Sequence, residues 1–151
     1  MAAPKSVSRK RFAEWKGVRW NAFVELCFSD INDLTLVQRL PHLVFWYSNE
    51  VHNGGHYQYF VNKRHFDHSE VVRALHALGA NDYANNLTAA LIELGDDPIA
   101  WPDTVGQFLA GERDIDLSRY DTAFYKCTPK IESWLGDYLD KHEEHFIEWI
   151  P

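Results

Sequence analysis

At 151 residues, 46% hydrophobic and 25% charged, the chain is sized for one domain and too ordinary in composition for a fibrous or disordered protein. Six Trp, seven Tyr and nine Phe can build a core without a disulfide or structural metal, and Cys27 and Cys127, far apart and in no CxxC pattern, read as reduced core thiols. Charge is uneven: residues 1–20 carry six basic side chains against one acid, net +5, while the remainder carries nine against 21, net −12, which disfavours direct nucleic-acid binding and suits a basic partner surface.

The N-terminal stretch "MAAPKSVSRKRFAEWKGVRW" is basic but lacks the apolar region of a secretory signal, and no segment approaches the ~20 apolar residues of a membrane helix. The expectation is a cytoplasmic protein without membrane association. Phe12, Trp15 and Phe23 are spaced for one helical face, which would suit an amphipathic surface helix, but a solvated helix start is the better reading. In "LTLVQRLPHLVFWYSNEVHN", Leu36, Val37, Leu40, Leu43, Val44 and Tyr47 keep helical spacing, with a kink or fresh start expected at Pro41.

The next stretch, "EVHNGGHYQYFVN", contains Asn53-Gly54, a hairpin signal, but no alternating strand precedes it. The better reading is a helix that ends on Asn53 or Gly54 in a left-handed conformation, with Gly55 leaving room for a second helix. Glu50, Asn53, Gln58 and Asn62 lie among aromatics there, where unpaired polar groups are costly. They read as a hydrogen-bonded network serving the backbone groups freed at the break, or else as a small pocket.

Downstream, Asp67 reads as an N-cap with Glu70 reaching back, opening a helix that stops at Gly79. "NDYANNLTAALIELG" is a further helix ending on Gly95. Residues 96–116 read as a loop with a short helix across Thr104–Ala110; Ile99, Trp101, Phe108 and Leu109 there call for burial. "LSRYDTAFYKC" is another short helix, and Thr128-Pro129 reads as the start of a last one running through "PKIESWLGDYLDKHEEHFIEWI". On it Asp137, Asp140, Glu144 and Glu148, spaced 3, 4 and 4, would line one face. The fold class is all-α: a single compact multi-helix domain over 1–151, with a helix-breaking Asn-Gly-Gly corner.

From about Thr35 to Trp149 (residues 35–149) the sequence resembles a bacterial family of small helical proteins, long filed as a domain of unknown function, whose characterised example is a DNA-mimic protein. "YSNEVHNGGHYQYFVN" is similar to the family's E-V-x-N-G-G-x-x-Q-Y-F-x-N signature, on Glu50, Val51, Asn53, Gly54, Gly55, Gln58, Tyr59, Phe60 and Asn62. "ALHALGANDYANNLTAALIELG" resembles its helix pair joined at Gly-Ala, and the stretch from Leu117 to Phe146 its C-terminal block. The resemblance implies an all-helical fold and, by extension, an acidic surface that competes with DNA for DNA-binding proteins. The basic N-terminus departs from mimicry and would oppose docking unless it points away.

Other chemistries find weaker support. His52 and His56, with Glu50, are the candidate metal set, but the glycines break the helix that would align them. His142-Glu143-Glu144-His145 misses the H-E-x-x-H spacing by one residue, and neither a P-loop nor a G-x-S-x-G is present. No cofactor and no catalytic residue is assigned. Carboxylates 3–4 residues apart on a helix stand about 5–6 Å apart, by its 1.5 Å rise, close to phosphate spacing. Asp96, Asp97, Asp103, Glu112, Asp114 and Asp116 could extend that surface.

The resulting expectation is a non-enzymatic acidic protein-binding module, a DNA mimic facing a transcriptional regulator or nucleoid protein, with Asp137, Asp140, Glu144 and Glu148 imitating phosphates. The alternatives are a small-molecule or metal-dependent enzyme at the Glu50–His56 corner and a nuclease-inhibiting immunity protein. A homodimer is left open.

Overall fold

The structure is a computed structural model that describes residues 2–95 and 115–151. The expectations for residues 96–114, including the short helix, the four buried apolar residues and the acids from Asp96 to Asp114, lie outside the described residues. The described chain runs β1 (Lys5–Ser8), α1 (Arg9–Glu14), α2 (Val18–Cys27), α3 (Leu36–Asn62), α4 (His68–Leu78), α5 (Asn81–Leu94), α6 (Ser118–Lys126), α7 (Ile131–Lys141) and β2 (Ile147–Ile150). It is an all-helical domain apart from one two-stranded sheet, in which β1 and β2 pair in parallel.

Helix α3 begins at a reciprocal cap. Gln38 N–H donates to Thr35 Oγ1 at 3.3 Å, and Thr35 N–H to Gln38 Oε1 at 3.0 Å, the pattern that T-L-V-Q encodes. The Gln38 amide is buried and also donates to the carbonyls of His145 (2.7 Å) and Ala2 (3.3 Å), so one side chain ties both chain ends to the central helix.

Pro41 neither stops nor restarts α3; the helix runs through it. A proline at 41 has no N–H for the Val37 carbonyl one turn back. The Tyr138 hydroxyl of α7 donates to that carbonyl at 3.2 Å, and burial raises the Tyr138 pKa above its ordinary value. Tyr138→Phe is therefore expected to cost about 1 kcal/mol. In a Pro41→Ala background, where the backbone N–H returns, that cost should shrink toward zero. Chemical denaturation of the four proteins of this cycle measures the coupling, and additive losses would contradict it.

The local stops and starts behave as their sequences dictate. The Asp67 carboxylate caps α4 through Ser69 N–H (3.0 Å) and Glu70 N–H (3.3 Å), and Gly79 ends the helix at φ 90°. Glu70 does not reach back to the cap; it holds Arg39 of α3 through two 2.6 Å bonds. Around α3 the core is aromatic, with Tyr47 at the centre of edge-on contacts to Tyr59 (4.9 Å) and Phe124 (5.7 Å). Cys27 and Cys127 are buried free thiols, and burial pushes both pKa values up.

Two expectations fail at the chain ends. Phe12, Trp15 and Phe23 do not share a helix: Phe12 packs on Trp149 at 5.0 Å, Trp15 is exposed, and Phe23 enters the core from α2. The last helix starts at Ile131, with Lys130 rather than Thr128 at the N-cap, and stops at Lys141. Beyond it lie a 3₁₀ turn (Glu143–His145) and β2. Pairing with β1, together with burial of Phe146 and Ile147, outweighs the local preference to continue the helix. Among the described residues no helix is long and apolar enough to cross a membrane.

Candidate functional site

Two regions carry the polar residues singled out in the sequence: the Gly54–Gly55 corner of α3 and the acidic C-terminal end. At the corner the helical path is interrupted at Gly54 (φ −162°, ψ 25°) and Gly55 (φ 73°, ψ −174°). The left-handed residue is thus Gly55, not Asn53 or Gly54. Glycine is required there twice over. L-residues rarely adopt that φ, and a Cβ would overlap the Asp121 carboxylate of α6.

Asp121 occupies that space because the second half of α3 needs a cap. Its Oδ1 accepts from His56 N–H at 2.8 Å and lies 2.7 Å from His56 Nδ1. One carboxylate from a separate helix therefore does the work of an N-cap side chain. The other ring nitrogen, Nε2, lies 2.9 Å from the Tyr47 hydroxyl, so a neutral ring donates from Nδ1 to Asp121 and accepts at Nε2 from Tyr47. Facing them, the Tyr125 hydroxyl donates to the Val51 carbonyl at 3.4 Å, on the segment that the break interrupts.

Glu50 clamps the two halves from the opposite side. Its buried carboxylate accepts from Gln58 Nε2 at 2.9 Å and Asn62 Nδ2 at 2.8 Å, and Lys63 Nζ stands 3.6 Å away over the Trp46 ring. Glu50, Gln58 and Asn62 are thus brought together, while Asn53 is exposed and outside this network. These contacts join one part of the fold to another, which is the work of a brace.

The histidines are not brought together. His56 is fully buried, with both nitrogens engaged; His52 is exposed, and its Nδ1 turns back to the Ser48 carbonyl at 2.8 Å. Among the described residues no group of three or more His, Cys, Asp or Glu side chains is placed to hold a metal ion. Sequence reasoning missed Asp121, whose only signal was an acid beside aromatics in "SRYDTAFYK".

At the acidic end the single helical stripe does not form. Asp137 and Asp140 are exposed on α7, Glu144 lies in the 3₁₀ turn and Glu148 on β2, so the four carboxylates span three elements. Asp140 is paired with Arg19 of α2. Glu148 accepts from Ser6 Oγ at 3.1 Å, and Glu144 stands 3.5 Å from His145 Nε2. The same Arg19 reaches Glu143 at 2.9 Å, a carboxylate not singled out in the sequence.

A family model described as DMP19-like protein matches residues 32–142. It covers α3 to α7 and leaves out β1, α1, α2 and β2. No curated protein and no solved structure matched the chain.

Proposed function

We propose that this chain, which belongs to the DMP19-like protein family, is a non-enzymatic binding module that presents carboxylates to the basic DNA-binding surface of another protein. The observation that carries the reading is the charge of −12 on residues 21–151. A basic groove built for phosphates attracts such a body over several ångströms, and the attraction falls with salt. Asp137, Asp140, Glu144 and Glu148 are the residues assigned to phosphate imitation. Because they lie on α7, a turn and β2, they do not form one straight helical ridge. The partner class is a transcriptional regulator or nucleoid protein.

The test is displacement. A basic nucleoid protein loaded with labelled duplex DNA is titrated with the wild-type chain and with the variant Asp137→Asn, Asp140→Asn, Glu144→Gln, Glu148→Gln. Release of DNA is followed by anisotropy. The wild type should release DNA with a steep salt dependence, and the variant should need about tenfold more protein, as expected for the loss of several charge contacts. Equal potency of the two would remove these carboxylates from the mechanism.

A further inference from the structure

The basic N-terminal segment does not point away from the acidic end; it is seated on it. β1 pairs with β2 in the register Lys5↔Ile147 to Ser8↔Ile150, and Phe12 of α1 packs on Trp149. From the first turn of α2, Arg19 then reaches across to Asp140 and, at 2.9 Å, to Glu143. Ser6 on β1 donates to Glu148. Two of the four carboxylates assigned to partner binding, Asp140 and Glu148, therefore already have N-terminal partners. All the N-terminal residues that reach them lie outside the family-matched span of 32–142.

We propose that this segment is an intramolecular occupant of the acidic face, with Arg19 holding the place that an arginine of the partner takes, so that binding requires its displacement. The proposal rests on the acidic-face reading above and adds a gate to it. The physics favours a gate over a permanent cover. The Asp140 side chain is 67% exposed and those of Arg19 and Glu143 are 26% and 31%, so solvent reaches both pairs and neither is a buried one. The Arg19 side chain can swing out while the strands stay paired and Phe12 stays on Trp149. A partner that presents several arginines exchanges the two ion pairs of Arg19 for more than two; a lone cation gains nothing by displacing Arg19. The face is thereby biased toward arginine-rich surfaces, the kind that grip a phosphate backbone.

The experiment compares Arg19→Gln with Lys10→Gln in the full chain. Both remove one positive charge from the same segment, but Lys10 is exposed on α1, whereas Arg19 grips two carboxylates. Labelled nona-arginine is the probe, titrated by anisotropy at low and at physiological salt, with helicity and melting checked for each protein. Arg19→Gln should bind the probe about three- to tenfold more tightly than Lys10→Gln, the gain expected from freeing the two carboxylates that Arg19 holds. Equal or weaker binding by Arg19→Gln, with the wild type also binding, would overturn the gate and leave the acidic-face reading intact. No binding by any of the three would overturn both.

Discussion

Asp121→Ala is expected to destabilise the fold by about 2–4 kcal/mol, the cost of leaving two donors without their shared acceptor. The substitution strips the acceptor from His56 N–H and from His56 Nδ1 together. The His56 side chain is fully buried, so its donors are costly to leave unpaired, while the 27% exposure of the Asp121 side chain keeps the loss below that of a fully buried pair. Asp121→Asn keeps one acceptor oxygen in place and should cost less, about 1–2 kcal/mol. The loss in Asp121→Asn is the diagnostic part: asparagine is nearly isosteric with aspartate, so a merely steric role would leave it at the wild-type level and penalise alanine alone. Urea denaturation of the three proteins decides it. Gly55→Ala is not an independent probe, because it collides with the same carboxylate.

That brace also explains how much of this protein could be read in advance. Helix α4 was legible at both ends because its signals are local: Asp67 caps it within three residues, and Gly79 stops it in a conformation that glycine adopts freely. The corner was legible as a break, and Glu50, Gln58 and Asn62 as a network, since two adjacent glycines and polar side chains among aromatics admit few other uses; Asn53, counted with them, is exposed and outside it. Its second support was hidden. Asp121 lies 65 residues from His56, and no short-range pattern joins an acid in one helix to a missing cap in another.

The C-terminal strand failed for a related reason. Ile147, Trp149 and Ile150 fit a helical face as well as a strand, and what decides between them is β1, more than a hundred residues away. The alternation of Ile147 buried, Glu148 exposed and Trp149 half-buried was the available signal, too short to outweigh the helical period before it. The error had a functional consequence. A helical stripe would have left all four carboxylates on one helix face, whereas the observed C-terminus brings N-terminal residues onto two of them, Asp140 and Glu148, which is what makes Arg19 visible as a competitor.

A second large effect concerns pH. His42 is buried on α3 with its Nδ1 lacking any hydrogen-bond partner, and it lies 6.4 Å, ring to ring, from Phe66. Burial first, then the cations of Lys63 and Arg39, lowers its pKa from 6.5 to about 4. The folded protein therefore holds His42 neutral while the unfolded chain takes up a proton below about pH 6.5. Between these values the unfolded state binds more protons, so the full stability present above pH 6.5 is lost progressively as pH falls toward 4. The depression corresponds to roughly 3 kcal/mol at its limit and about 2 kcal/mol at pH 5. His68, also lowered chiefly by burial, adds to the trend, so the wild-type curve alone does not isolate His42. His42→Leu does. It removes a buried polar atom without a partner, so at pH 7.5 it should be neutral or slightly stabilising. At pH 5 it should exceed the wild type by about a further 2 kcal/mol. A difference between the two proteins that stays constant from pH 7.5 to 5 would show that His42 is protonated in the folded state as readily as in the unfolded one, and that its neighbours do not exclude the charge.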